Sequence, residues 1–271
     1  MNQSTVYLYG GYENQREPSS SLHFFNLGSG EVREIEKKGT WPLERASISS
    51  VDFRDSFVVF GGFGQKSYLN DLWLFNFTTM QWKELCNGSD SSSPPAQTLY
   101  SMTLAEIENE ASVILFGGQR LINFERFYYH EIYAFSLVRG KWRVLSQNFA
   151  FSKSRCLKYG SSASMIAQRM IVFGGKRTEP EALFNEVLAM NISSLEWSLL
   201  NAGDSGLWNN TKQSFSPCAP PAKYNIGSLV MEQDLVIFDG SQFQGHFGLV
   251  WRFSTGLIPQ TTFHVFSNFF F

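Results

Sequence analysis

Charge is scarce in this chain. Only 17% of its 271 residues are Asp, Glu, Lys or Arg, and 24 acids nearly cancel 22 bases. The formal charge of −2 excludes a globally basic nucleic-acid binder, although a local basic patch stays open. Cysteine is scarcer still. Cys86, Cys156 and Cys218 are odd in number, far apart and without metal-ligand spacing. That excludes a dense disulfide framework and favours reduced thiols in the cytoplasm or, second, the nucleus. No apolar run is long enough to cross a bilayer as a helix, so membrane insertion is not expected. No basic segment followed by an apolar one opens the chain, so no secretory signal is visible. Helical periodicity is also missing, and with it any glycine-rich phosphate loop opening a helix. The four histidines, His23, His130, His246 and His264, share no ligand spacing, so neither metal nor cofactor is expected.

What is abundant is aromatic residues, at 16%, and paired glycine. Five apolar runs end in a glycine pair or its remnant: Val6–Gly11, Phe57–Gly62, Val113–Gly118, Met170–Gly175 and Leu235–Gly240, the last with Asp239 in place of the first glycine. Self-similarity at about 50 residues is the period of a propeller blade rather than of a helical solenoid. After each pair comes a variable stretch, then a run of alternating apolar residues such as Asp71-Leu-Trp-Leu-Phe-Asn76 or Glu186-Val-Leu-Ala-Met-Asn191. A polar turn follows, then Trp82, Trp142 or Trp197, with Val32 in the equivalent place of the first unit. Period-2 alternation bounded by Gly, Asn and Ser reads as strands and turns. From the second unit onward another candidate strand precedes the glycine run, as in Ala46–Val51 and Ile226–Met231, making four per unit.

These residues resemble the kelch repeat, and the resemblance covers nearly the whole chain. It implies an all-β fold, a kelch-type β-propeller with about five visible four-stranded blades in a small or an incomplete six-bladed ring. The chain reads as one domain, residues 1–271, with units near 1–39, 40–89, 90–148, 149–204 and 205–271. The first unit lacks an inner strand, and the fifth has no tryptophan after Trp251 and a poorly fitting tail, Thr261–Phe271. A tryptophan at a blade edge is expected to pack against the next blade, burying on the order of 150–250 Å².

Function then falls to the loops, which a rigid scaffold positions. Three are long or polar: residues 87–98, residues 119–130 and residues 201–221, the last carrying Trp208. Sixteen residues before the glycine pair stand Arg45, Lys158 and Lys223, and the Pro-Pro-Ala match places Gln97 there in the third unit. Just after the pair stand Tyr12, Phe63, Gln119, Lys176 and Ser241. The resemblance implies that both sets face one channel mouth. With Arg120 they would form a polar, largely basic partner-binding arc for an acidic or carboxylate-bearing peptide, because charge-assisted hydrogen bonds are the strong ones. The bland alternative is solvated loop charge.

The expected partners are therefore other proteins or peptides, with no nucleic acid and no small-molecule ligand. The expected role is a protein-interaction module, a scaffold or the substrate-recognition part of a ligase, and not an enzyme. An extracellular, glycosylated adhesive propeller is the alternative, since Asn2, Asn76, Asn87, Asn191 and Asn209 open Asn-X-Ser/Thr sequons. Asn76 and Asn191, however, fall in tight turns that favour Asn regardless. An enzyme ranks third. Gly203-Asp204-Ser205-Gly206 matches a protease nucleophile segment but has no His and Asp context around it.

Overall fold

The computed structural model describes residues 5–14, 17–146, 158–178, 181–201, 224–231, 234–238, 241–242, 245–246, 250–254 and 263–266. Among them there is no helix, and every regular element is a strand.

The first blade holds β1 (Thr5–Tyr9), the short hairpin β2 (Tyr12–Glu13) and β3 (Glu17–Pro18), then β4 (Leu22–Asn26) and β5 (Val32–Glu34). The second holds β6 (Ser50–Phe53), β7 (Ser56–Phe63), β8 (Tyr68–Asn76) and β9 (Gln81–Cys86). In the third, β10 (Ser101–Ile107) and β11 (Glu110–Phe116) precede the hairpin β12 (Gln119–Ile122) and β13 (Glu125–Tyr128), followed by β14 (Ile132–Ser136) and β15 (Lys141–Ser146). The fourth repeats this order with β16 (Ser162–Ile166), β17 (Arg169–Phe173), β18 (Lys176–Thr178), β19 (Glu181–Leu183), β20 (Val187–Asn191) and β21 (Trp197–Asn201). The fifth comprises β22 (Gly227–Met231), β23 (Asp234–Phe238), β24 (Ser241–Gln242), β25 (Gly245–His246), β26 (Val250–Ser254) and β27 (Phe263–Phe266).

All pairings are antiparallel. The blade sheets run β6-β7-β8-β9, β10-β11-β14-β15, β16-β17-β20-β21 and β22-β23-β26-β27, whereas the first is three-stranded, β1-β4-β5. Among the described residues the first unit thus has no inner strand. Two expectations need correction. The segment expected to fit poorly supplies β27, which pairs with β26 from Phe263↔Phe253 to Phe266↔Val250. Residues 119–130 are not a loop but the β12–β13 hairpin, in register from Gln119↔Tyr128 to Ile122↔Glu125.

The glycine pairs earn their place sterically. Gly61 and Gly62 have φ of 46° and 101°. A Cβ on Gly62 would lie 2.4 Å from Ile48 Cγ2 and 2.9 Å from the Ala46 carbonyl oxygen, closer than backbone can yield. The bare backbone lets the next connection pass against the strand end, and Phe63 and Ala46 exchange hydrogen bonds there at 2.9 Å.

The strands sort into two compact units, residues 1–98 with 139–143, and residues 99–138 with 144–271. In the first, one core cluster joins the first two blades through Leu22, Ile35, Phe57, Val59, Trp73, Phe75 and Trp82. In the second, one cluster lies between the third and fourth blades and another between the fourth and fifth. Each core therefore sits in a seam between sheets, so a single blade could not bury its own faces.

Candidate functional site

The equivalence of Arg45 and Lys158 is real, but their side chains are fully buried. Both act as clamps across a blade seam. The Arg45 main chain is tied to the first blade, where its N–H donates to Ser19 O at 2.9 Å and its carbonyl accepts from Gly11 N–H at 3.0 Å. Its guanidinium reaches into the second blade. Nη1 and Nη2 donate to the two carboxylate oxygens of Asp71, each at 2.8 Å, and Nη1 also donates to Gly61 O at 2.9 Å. Asp71 further accepts from Trp73 Nε1–H at 2.6 Å. This is the planar two-point pairing that Arg makes best.

Lys158 repeats the plan in the second unit. Its carbonyl accepts from Gly118 N–H at 3.4 Å, and its ammonium lies 3.6 Å from Glu186 Oε1 and 5.2 Å above the Phe184 ring. Asp71 and Glu186 are equivalent: each immediately precedes the core residue, Leu72 or Val187, that pairs with the Phe before the glycine pair. The signal for these acids was present in the sequence, since an acid recurs as Asp71, Glu131 and Glu186. Matching it to the recurring base would have revealed an internal ion pair instead of an open arc. Gln97 is buried as well, with Oε1 unbonded within the described residues. Arg45, Gln97 and Lys158 are corrected accordingly: burial denies them direct contact with a partner. Lys223 lies outside the described residues, as do residues 202–223 with Trp208.

The residues after the glycine pair fare differently. Tyr12 is exposed and Phe63 is half-buried in the first unit, with Phe63 edge-on to Tyr68 at 5.2 Å. Ser241 opens β24. In the second unit a basic and aromatic cluster forms. The Tyr159 main chain bridges to Lys176 through hydrogen bonds of 3.0 and 2.9 Å, which brings the start of β18 beside the β12–β13 hairpin. Tyr128 stacks on Tyr159 with centroids 5.9 Å apart and planes 11° from parallel. The Arg126 guanidinium lies 5.6 Å over the Tyr159 ring and donates to Gln119 Oε1. The Lys176 ammonium lies 5.3 Å over Tyr224, whose ring meets Tyr159 edge-on at 6.2 Å. Arg120, Arg126 and Lys176 stay partly exposed, whereas Gln119 is buried beneath them. The hairpin tip projects apolar side chains, with Phe124 99% exposed beside Leu121 and Ile122. Sequence reading picked out Arg120, Gln119 and Lys176 but missed Tyr159 and Tyr224, although each directly follows a recurring cation, Lys158 or Lys223.

Among the described residues no group of three or more His, Cys, Asp or Glu side chains is placed to hold a metal. No described helix is long and apolar enough to cross a membrane.

Comparison with known proteins agrees with the repeat. The KLHDC2/KLHL20/DRC7 Kelch-repeats domain matches residues 1–156. Tip elongation aberrant protein 1 of Schizosaccharomyces pombe is 22% identical over 191 residues, covering 67% of this chain and 15% of that protein. Human Kelch domain-containing protein 10 is 22% identical over 264 residues, 92% of this chain and 55% of the relative. N-(sulfonatooxy)prop-2-enimidothioate sulfolyase of Thlaspi arvense is 26% identical over 144 residues, 52% and 40% respectively. The chain thus spans little more than half the length of these relatives, or less.

Proposed function

The chain belongs to the kelch-repeat family, and on that premise we propose a non-enzymatic interaction module that binds an acidic or carboxylate-bearing peptide segment at the basic, tyrosine-rich rim of its second unit. Kelch propellers generally serve as protein-interaction modules. The finer reading rests on one observation: Arg126 and Lys176 are held over the rings of Tyr159 and Tyr224 and both remain partly exposed. A carboxylate docking there gains charge-assisted hydrogen bonds, while the rings restrict the cations and lower the entropy lost on binding. Arg120 widens the positive field, and Phe124 with Leu121 offers apolar contact beside it.

The test uses immobilised acidic peptides with free and with amidated C-termini. Losing one charge-assisted contact weakens binding by roughly 1.5–3 kcal/mol, about 10- to 150-fold. The double reversal Arg126→Glu with Lys176→Glu should abolish capture while the melting temperature barely moves. Added salt should slow association. If the double reversal captures the same peptides as tightly, the rim is solvated charge and the reading fails.

A further inference from the structure

From the loop that follows β9 we infer a site of self-modification: Asn87 closes on the Gly88 nitrogen to a cyclic imide, which water opens to aspartate or isoaspartate. The site is independent of the rim. Asn87–Gly88 is the sole Asn-Gly step in the chain, and the lack of a side chain at Gly88 leaves its nitrogen unhindered. Asn87 and Ser89 are exposed, so water reaches both the amide and the imide.

Donors and an acceptor stand around the reacting atoms as that closure requires. The Asn87 side chain folds back in an Asx turn, with Oδ1 accepting from Ser89 N–H at 3.0 Å and from the Ser89 hydroxyl at 2.7 Å. The turn carries the amide carbon back toward the Gly88 nitrogen, which lies within the ring it closes. When that nitrogen attacks, negative charge grows on Oδ1, where two donors already stand at oxyanion-hole distances. The Gly88 N–H in turn points at Cys86 Sγ, 3.4 Å away, and a thiolate there can take the proton. Ser93 Oγ lies 3.4 Å from the same sulfur, and its hydroxyl can donate to it. The steps balance. Gly88 loses its proton, its nitrogen bonds to Asn87 Cγ, and the Cγ–Nδ2 bond breaks as Nδ2 takes a proton and leaves as ammonia. Water then adds to one of the two imide carbonyls. Opening at Cγ gives aspartate; opening at the main-chain carbonyl gives isoaspartate, whose chain runs through Cβ and Cγ. No oxidant or reductant takes part.

The product cannot keep the loop as it stands. Asn70 of β8 pins this turn, with Nδ2 donating to Gly88 O at 3.0 Å and to Pro94 O at 3.3 Å. The fit has no slack, since a Cβ on Gly88 would lie 2.2 Å from Asn70 Oδ1. Isoaspartate lengthens the main chain by a methylene just before Gly88, which moves the Gly88 carbonyl off Asn70. Either product also puts a carboxylate where a neutral amide stood. Conversion therefore unfastens residues 88–94 from β8, the strand that carries Asp71 of the Arg45 pair. The loop records the age of the molecule.

The experiment ages the unglycosylated full chain at neutral pH, follows ammonia release, and maps aspartate and isoaspartate at residue 87 by electron-transfer fragmentation. Conversion should run at least as fast in the folded chain as in the same chain unfolded in urea, although a rigid fold ordinarily slows such closure. Ser89→Ala and Cys86→Ala should each slow it about 2- to 10-fold, the effect of one hydrogen bond on a rate, and neither should slow the unfolded chain. Hydrogen exchange across residues 88–94 should be faster in the aged chain than in the fresh one. Slower conversion folded than unfolded overturns the inference, as do rates unchanged by both substitutions. The Arg126 and Lys176 reversals bear on none of these results, so this site and the rim fail separately.

Discussion

Arg45 and Asp71 face each other across a blade seam with the guanidinium Nη1 and Nη2 each 2.8 Å from a carboxylate oxygen. The pair spends its charge on architecture. Its Coulomb attraction is largely offset by desolvation, so its chief effect is to set which residues meet across the seam.

Breaking one side of that pair should therefore be expensive. Asp71→Ala leaves a fully buried guanidinium without its carboxylate, and a loss of about 3–5 kcal/mol is expected. Replacing both residues with apolar ones of similar size should recover much of it. Urea denaturation of the two single variants and the double variant measures this. Additive losses in the double would show that the two charges do not interact.

The tryptophans obey a rule whose direction the sequence left open. Trp82, Trp142 and Trp197 meet Tyr9, Phe60 and Phe116, the residues before the glycine pair of the preceding blade, at 4.6, 5.5 and 5.5 Å. The expected packing on the next blade is thus reversed. Trp82→Ala and Trp142→Ala, both buried, should each cost about 3–5 kcal/mol, and the half-buried Trp197 less. A Phe60/Trp142 double-mutant cycle should give a coupling of about 0.5–1.5 kcal/mol. A coupling near zero would assign the cost to burial alone.

Alkaline pH should destabilise the fold through tyrosine. Burial, reinforced by the Glu131 charge, pushes the Tyr133 phenol up to about 12. Burial raises Tyr9 further, opposed by Arg45. A phenol harder to ionise when folded contributes stability that is whole below the unfolded value near 10 and is lost as pH rises through the folded value. Melting curves between about pH 9 and 12 should show that loss. Tyr133→Phe should make it shallower. An unchanged slope in that variant would place the titration elsewhere.

The turn asparagines should behave as local caps. Asn76 Oδ1 accepts from the N–H groups of Thr78 and Thr79 at 3.0 and 2.8 Å, and Asn191 from Ser193 and Ser194 at 2.9 and 3.0 Å. Asn76→Ala and Asn191→Ala should each cost about 1 kcal/mol, and substitution by Asp much less. Chemical denaturation distinguishes the two, and equal losses for Ala and Asp would refute the capping role.

Strand content, repeat period and the unequal first unit were legible in the residues themselves. Glycine pairs and period-2 alternation are local constraints, written wherever a backbone must bend or a face must be buried. The place of Arg45 and Lys158 was legible only as a recurrence. Whether a recurring cation faces water or an acid depends on which strand lies opposite it, and the tertiary structure alone brings Asp71 and Glu186 there. The same holds for the rim: Arg126 and Lys176 stand on the β13 and β18 strands, Tyr159 and Tyr224 in connections, and only the fold stacks them. The tail residues Phe263–Phe266 complete the fifth sheet for a related reason. A strand whose glycine and tryptophan signals have decayed is still specified by the free edge of β26 that it pairs with.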